Sequence, residues 1–405
     1  MIPLLSLFLA ILGSVTLVLG ATSGRPALVL LAATLLASHA LPLLTIAGDP
    51  LASASLLARL ETVAAIAVVA SLSWVAGYWL CTRPTQAMPV VTLDPTPRAM
   101  PIHWLLALLL SILIVTSPGG LVGFAQRGFL RLPVETLHFS LTYALACLFA
   151  FTTTLAAVAA AQKNSRPPWV SMALILGTFW LLGGRVQLVI TALAFALVFL
   201  AHGRVDWPKL LLPGLAVLGL SALTLIFRLT LQGEAIDPLS ALGLMASQIS
   251  LLEGYALSVR FVEEHGHDLG HYWETLQQIL PRALFPDKPL QLSRALRLME
   301  ARDLLGGLTP GLAGEAFVAG GYIAVAAISI AFGAMLAVLD NCYRRLPTLS
   351  PLGQAAVVSL LPLLVLYVLR GGLDTSIFRV AILALAVLVG LWWRSTRLAL
   401  PRIAS

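Results

Sequence analysis

Arg282, Asp287, Lys288, Arg294, Arg297, Arg302 and Glu315 all fall within residues 280–315, LPRALFPDKPLQLSRALRLMEARDLLGGLTPGLAGE, in a chain that is otherwise mostly apolar. Cations gathered beside apolar segments, with a carboxylate entering one of them, cost free energy unless partners meet them. Other outward cations stand at segment ends. Arg185 follows Gly183-Gly184, Arg370 precedes Gly371-Gly372, and Arg379 opens the last apolar run. If Arg185, Arg282, Lys288, Arg370 and Arg379 converged, they would make a pocket for the oxygens of a diphosphate. Arginine's planar fork binds such oxygens in pairs and keeps its charge when desolvated. Of the 25 basic residues only Lys163, Lys209 and Lys288 are lysines, which suits phosphate binding at a dry site. Arg370 and Arg379 could instead be anchors that snorkel to lipid headgroups.

Glu315 is the sharpest candidate for acid–base work. Acids inside a membrane segment usually face the bundle interior or a water-filled cavity. Glu315 could act as a general base or bind an acceptor hydroxyl. Its place near a helix start equally suits dipole compensation with an arginine partner, so both roles stay open. Asp287 suits a turn or a pairing with Lys288. His265, His267 and His271 lie near Glu263, Glu264 and Asp268, but H-x-H-x3-H is no structural zinc spacing and the flanking glycines imply a loop. Neither a metal nor a cofactor is expected. His271 remains a candidate for proton transfer or for donating to a diphosphate, because imidazole titrates near neutral pH. Tyr255, Tyr272, Trp273 and Phe285 could stack on sugar faces or form an interfacial belt. No P-loop, dinucleotide-binding glycine pattern or nucleophile elbow is present, so ATP-driven and serine-hydrolase chemistry have no residues to stand on.

Residues of this kind need helices to position them, and the composition says which kind. The chain has 405 residues, of which 59% are hydrophobic and 11% charged, and its mean hydropathy is +0.94. Soluble domains carry about 25% charged residues, so this composition belongs in a bilayer. The net charge of +7 does not indicate nucleic acid, since no basic run with interleaved aromatics occurs. Cys81, Cys147 and Cys342 lack CxxC spacing and support neither a disulfide framework nor a zinc site. The opening MIPLLSLFLAILGSVTLVLG has no basic n-region or cleavage site, so a retained first span is expected.

At about 20 apolar residues per span, the chain is expected to be an all-α polytopic membrane protein with eleven helices in a single domain over 1–405. They are 3–20, 26–47, 62–80, 102–118, 136–161, 169–183, 186–201, 209–228, 313–339, 353–370 and 376–394. Residues 169–183 and 186–201 are divided at Gly183-Gly184-Arg185, because one helix there would bury an arginine at its middle. Loops with Arg25, Arg83, Arg98, Lys163, Arg166, Arg204, Lys209, Arg344, Arg345, Arg394, Arg397 and Arg402 hold only Asp94, Asp206 and Asp340 as acids. This bias marks them as cytoplasmic. The N-terminus then faces outward, the C-terminus inward, and the long loop 229–312 is extracytoplasmic.

A loop of that length should carry its own structure. Leu251, Leu252, Tyr255, Val259 and Val262 recur at helical spacing and predict an amphipathic helix lying on the membrane surface. A short run at 273–280 follows, then a turn broken by Pro281, Pro286 and Pro289, then a basic helix at 293–305. Thr309-Pro310 is a helix-start signal, with Thr309 as the cap.

LPRALFPDKP and TPGLAGEAFVAGGYIAV, preceded by the tight GGR turn between two spans, resemble Wzy-type oligosaccharide repeat-unit polymerases. The resemblance covers about 119–379. It implies a metal-independent, lipid-phosphate-dependent (GT-C-like) glycosyltransferase in the bacterial inner membrane, with an outward site facing the periplasm. It further implies transfer of a growing glycan from undecaprenyl diphosphate to an undecaprenyl-diphosphate-linked repeat unit. A chain-length-determining co-polymerase and membrane lipids would be partners. The family's periplasmic arginines would match Arg185 and Arg282, although the turn at 183–185 is shorter than in relatives. The resulting expectation is that Arg282, Lys288, Arg185 and Arg379 stabilise the departing diphosphate, with Glu315 or His271 as base. An O-antigen ligase shares this chemistry and differs in acceptor. A flippase or transporter of lipid-linked sugars is the third possibility, disfavoured because no internal repeat is visible and the charges concentrate on one side.

Overall fold

The computed structural model describes residues 2–46, 53–82, 100–117, 120–123, 137–206, 209, 211–231, 250–279, 287, 289–299 and 309–399. Among these there are helices and turns and no strand. Six helices are long and apolar enough to cross a membrane: Ile2–Thr22, Pro26–Thr45, Leu60–Cys81, Leu141–Gln162, Gly311–Arg344 and Pro351–Gly371. Ile102–Val115, Trp169–Leu181, Arg185–Ala201 and Pro213–Phe227 are apolar but shorter. Every segment expected from hydropathy is helical, and the chain is a polytopic α-helical protein embedded in a membrane.

The chain divides into two compact units. The first comprises Met1–Gln86, Glu234–Arg344 and Leu361–Ile377. Its axis is the pair Leu60–Cys81 and Gly311–Arg344, packed along one another. A Cβ on Gly77 would stand 2.1 Å from the Ile330 carbonyl oxygen, and one on Gly333 would stand 2.1 Å from that of Trp74. Reciprocal glycines let the backbones touch, which is how helices associate where lipid offers no hydrophobic drive. At one end of this pair Asp340 accepts from Ala27 N at 3.1 Å and from the Tyr78 hydroxyl. It thereby caps the helix Pro26–Leu35.

Three expectations need correction. First, 313–339 is not one continuous helix. Gly320 and Gly321 leave helical geometry, with Gly321 at φ 63° and ψ −153°, a conformation open essentially to glycine. A short helix, 311–319, therefore precedes a long one that begins at Tyr322. The break frees carbonyls that must be met. His267 Nδ1 donates to Phe317 O at 3.0 Å, and Asp268 N donates to Val318 O at 2.9 Å.

Second, Thr309 is not a cap for its own helix. Its hydroxyl donates to Arg370 O at 2.9 Å, and the helix begins at Gly311. Third, the amphipathic helix Leu252–His265 does not lie on a membrane surface. Its apolar face is covered by protein, with Leu252, Tyr255, Ala256 and Leu257 buried against Leu60–Cys81 and Gly311–Arg344. Periodicity reveals an apolar face but not whether lipid or protein covers it. Tyr255 is thereby removed from sugar stacking. Its hydroxyl is 2.8 Å from His39 Nε2, while His39 Nδ1 is 3.1 Å from Ser71 Oγ and the ring stacks on Trp74 at 5.3 Å. His39 sits in the π-helical turn Leu36–Ala40, which aims it into this core.

The second unit comprises Ala87–Gly233, Arg345–Leu360 and Phe378–Ser405. Leu137–Gln162 packs against Met100–Val115, Trp169–Leu181 and Arg185–Ala201. Buried His103 ties three of these helices together, 3.0 Å from Thr152 Oγ1 and 2.7 Å from Ser171 Oγ. The chain turns between Trp169–Leu181 and Arg185–Ala201 at Gly183-Gly184, as expected from the buried-arginine argument.

Candidate functional site

Glu315 lies in the short helix 311–319, where every side chain is buried. Its carboxylate faces the start of another helix, Leu373–Ala399. Oε2 accepts from Leu373 N at 2.6 Å and Oε1 accepts from Asp374 N at 3.1 Å. First-turn amides have no partner within their own helix, and the helix dipole favours an anion beside them. Gly372 makes the approach possible. Its φ is +82°, and a Cβ there would lie 2.1 Å from Glu315 Oε1. The dipole that Glu315 compensates thus belongs to a helix remote in sequence.

Asp374 repeats the device one step further along. It is 1% exposed, and Oδ2 accepts from Ser293 N at 3.1 Å at the start of Leu292–Met299. Its backbone carbonyl accepts from Gln291 Nε2 at 3.2 Å. Oδ1 is buried and receives no donor among the described residues, and the carboxyl lies against that of Glu315. Gln278 Nε2 donates to Pro289 O at 3.0 Å. Segments 271–278, 289–293, 309–315 and 370–374 therefore meet in one polar knot.

His271 and Tyr272 border the knot. His271 is buried, with Nε2 3.4 Å from Thr275 Oγ1. Burial holds its imidazole below the ordinary histidine range, against the opposing charges of Asp374, Glu274 and Asp268. Burial, and then the charge of Glu315, push the Tyr272 phenol upward. The Tyr272 hydroxyl is buried without a hydrogen-bond partner among the described residues. A neutral imidazole can take a proton from a hydroxyl, and nearby carboxylates would stabilise the imidazolium that forms.

The second unit holds an oriented guanidinium. Arg379 stacks over the Tyr143 ring, 4.9 Å from its centroid, and Nε donates to the Tyr143 hydroxyl. Gln187, with its amide oxygen turned toward Arg379, accepts from Arg379 Nε and Nη2 at 3.2 Å each and from Tyr143 Oη at 2.7 Å. Its nitrogen donates to Gly184 O at 3.2 Å. Arg185 opens the same helix as Gln187 and is half-buried. This arrangement holds a guanidinium in one orientation, which is what bidentate recognition of an oxyanion needs.

Of the candidates from sequence, Glu315, His271 and Arg370 belong to the first unit, and Arg185 and Arg379 to the second. Arg370 is half-buried and its carbonyl is held by Thr309. Arg282, Lys288 and Phe285 lie outside the described residues, and Asp287 is exposed. The three loop histidines part company. His265 stacks on Phe261 at 4.7 Å, His267 docks on the broken helix, and His271 turns inward. Among the described residues no group of three or more His, Cys, Asp or Glu side chains could hold a metal ion.

Sequence reasoning missed Asp374, Tyr143, Gln187 and His39. Asp374 had a signal, since it is an acid at a helix start just after Gly371-Gly372. Tyr143, Gln187 and His39 had none, because their partners are remote in sequence. Fold and site together define a polytopic α-helical membrane protein with a buried carboxyl knot and an oriented arginine. No protein-family model, curated protein or solved structure matches the chain.

Proposed function

We propose that the chain is an oligosaccharide repeat-unit polymerase of the Wzy type, acting at the periplasmic face of a bacterial inner membrane. In this reading all eleven apolar helices span the bilayer, in a lipid-phosphate-dependent glycosyltransferase architecture. The substrates are undecaprenyl-diphosphate-linked oligosaccharides. The observation that carries the reading is the polar knot. Glu315, in the segment 309–321 singled out by resemblance, meets the helix start that carries Asp374. Asp374 in turn holds Ser293, which follows the segment 280–289 in sequence, beside His271.

The reaction is a single displacement at the anomeric carbon. The acceptor hydroxyl oxygen attacks, its proton passes to a base, and the carbon–oxygen bond to the diphosphate breaks with its electron pair on the departing undecaprenyl diphosphate. Arg282, Lys288 and Arg370 are proposed to meet the negative charge that develops, and Arg185 and Arg379 to bind substrate oxyanion groups. His271 suits the role of base better than Glu315. Both carboxylate oxygens of Glu315 already accept from backbone amides, and the side chain is fully buried. Glu315 serves as a positioning residue.

One observation favours a second reading. The helix broken at Gly320-Gly321 beside a buried carboxylate is a feature of transporters as well as of enzymes, so a flippase of lipid-linked sugars stands as the alternative. Deletion of the gene followed by gel analysis of surface glycan separates them. A polymerase mutant leaves a single repeat unit on the acceptor, whereas a flippase or ligase mutant leaves none. Long chains persisting in a strain without a paralogue would end the polymerase reading.

A further inference from the structure

The helix His271–Gln277 has its polarity turned inside out. His271, Thr275 and the adjoining Gln278 are 5%, 3% and 5% exposed, whereas Leu269, Trp273 and Leu276 are 75%, 69% and 50% exposed. Facing water, this arrangement is unfavourable twice over, because polar groups are buried while large apolar ones are solvated. Facing hydrocarbon, it is the stable arrangement. Clustered apolar exposure of this kind marks contact with an apolar partner.

The identity of that partner follows from what the face adjoins. Asp268 N on Val318 O and His267 Nδ1 on Phe317 O fix the helix beside the Gly320-Gly321 break. Directly after the break Tyr322 and Ile323, 42% and 85% exposed, open the long part of the membrane-crossing helix Gly311–Arg344. The helix His271–Gln277 thus follows closely on residues docked where the long membrane-crossing part begins. Half-buried Glu274 and Gln277, with exposed His267 and Asp268, supply the polar edge that a helix at the headgroup level requires.

We propose that His271–Gln277 lies in the membrane interface, with Leu269, Trp273 and Leu276 among the acyl chains and His271, Thr275 and Gln278 on the protein side. The segment is then part of the membrane-embedded body and not of an aqueous loop. The proposal stands on the chain being embedded in a bilayer, not on glycosyl transfer. If the transfer reading also holds, a lipid-linked substrate reaches His271 from the bilayer side.

The test places a nitroxide at Leu269→Cys, Trp273→Cys and Leu276→Cys in the full chain, with Cys81, Cys147 and Cys342 replaced by serine. The host is a vesicle of phosphatidylethanolamine and phosphatidylglycerol. Ile11→Cys, exposed on the apolar helix Ile2–Thr22, is the lipid reference, and exposed Glu264→Cys is the aqueous one. The ratio of oxygen to nickel-complex collision at 273 and 276 is expected to exceed that at 264 several-fold and to approach that at 11. Labels that match position 264, or that are shielded from both reagents as under a protein partner, would overturn the proposal. A second measurement needs no cysteine. Brominated acyl chains should quench the fluorescence of the native protein more than that of Trp273→Phe, and equal quenching would likewise overturn it.

Discussion

The carboxyl knot of the first unit and the oriented arginine of the second solve opposite problems. Glu315 and Asp374 are charged or chargeable groups with almost no exposure, and their partners are mainly backbone amides at helix starts. Such partners are fixed by the fold, so the knot is a structural joint. Arg379 is half-buried, and its partners include a ring, a hydroxyl and a side-chain amide. Tyr143 and Gln187 orient the guanidinium, which is what recognition of an oxyanion needs. Backbone amides around a buried carboxylate hold chain segments together, whereas side chains around a guanidinium set the direction in which it points.

Glu315→Ala should produce the largest effect. It leaves the Leu373 and Asp374 amides buried without an acceptor, at roughly 1–3 kcal/mol each. Thermal unfolding in detergent should show that loss, and an unchanged midpoint would mean the carboxylate is not a joint. Gly372→Ala should come next, at about 2 kcal/mol, because it combines a positive φ with a Cβ driven into Glu315 Oε1. Tyr143→Phe should cost only about 1 kcal/mol of stability, the value of one hydrogen-bonding hydroxyl, yet on the proposed polymerase function should sharply reduce chain extension by releasing Arg379. If Tyr143→Phe instead destabilised as much as Glu315→Ala, the contrast between joint and ligand site would collapse.

The smallest expected effect is a pH dependence. His271 has a folded-state pKa below the ordinary value of 6.5, so below that value the unfolded chain binds more protons than the folded one. Its contribution to stability is therefore complete above about pH 6.5 and declines as pH falls through the range between the unfolded and folded values. His271→Gln should flatten that decline in unfolding experiments between neutral and mildly acidic pH. An identical pH profile would remove His271 from the buried position assigned to it.

Much of the architecture was legible from hydropathy, because a span must satisfy its backbone internally and so needs a continuous apolar helix. The turn at Gly183-Gly184 was legible for the same reason, since burying Arg185 in mid-helix is unfavourable. The break at Gly320-Gly321 was visible only as two glycines, which serve equally for close packing. What made it a break was His267 and Asp268, brought from a distant segment to meet the freed carbonyls.

The sequence by itself determined that this protein lives in a membrane, where its helices lie and which few polar residues demand an explanation. Those follow from local quantities, apolar run length and the cost of isolated charge. Only the tertiary structure decided what the polar residues do. Whether Glu315 is a base or a joint depends on which helix start it meets. Whether Tyr255 or Trp273 faces lipid depends on what packs over it. Both are set by contacts between residues tens to hundreds of positions apart, which no local pattern records.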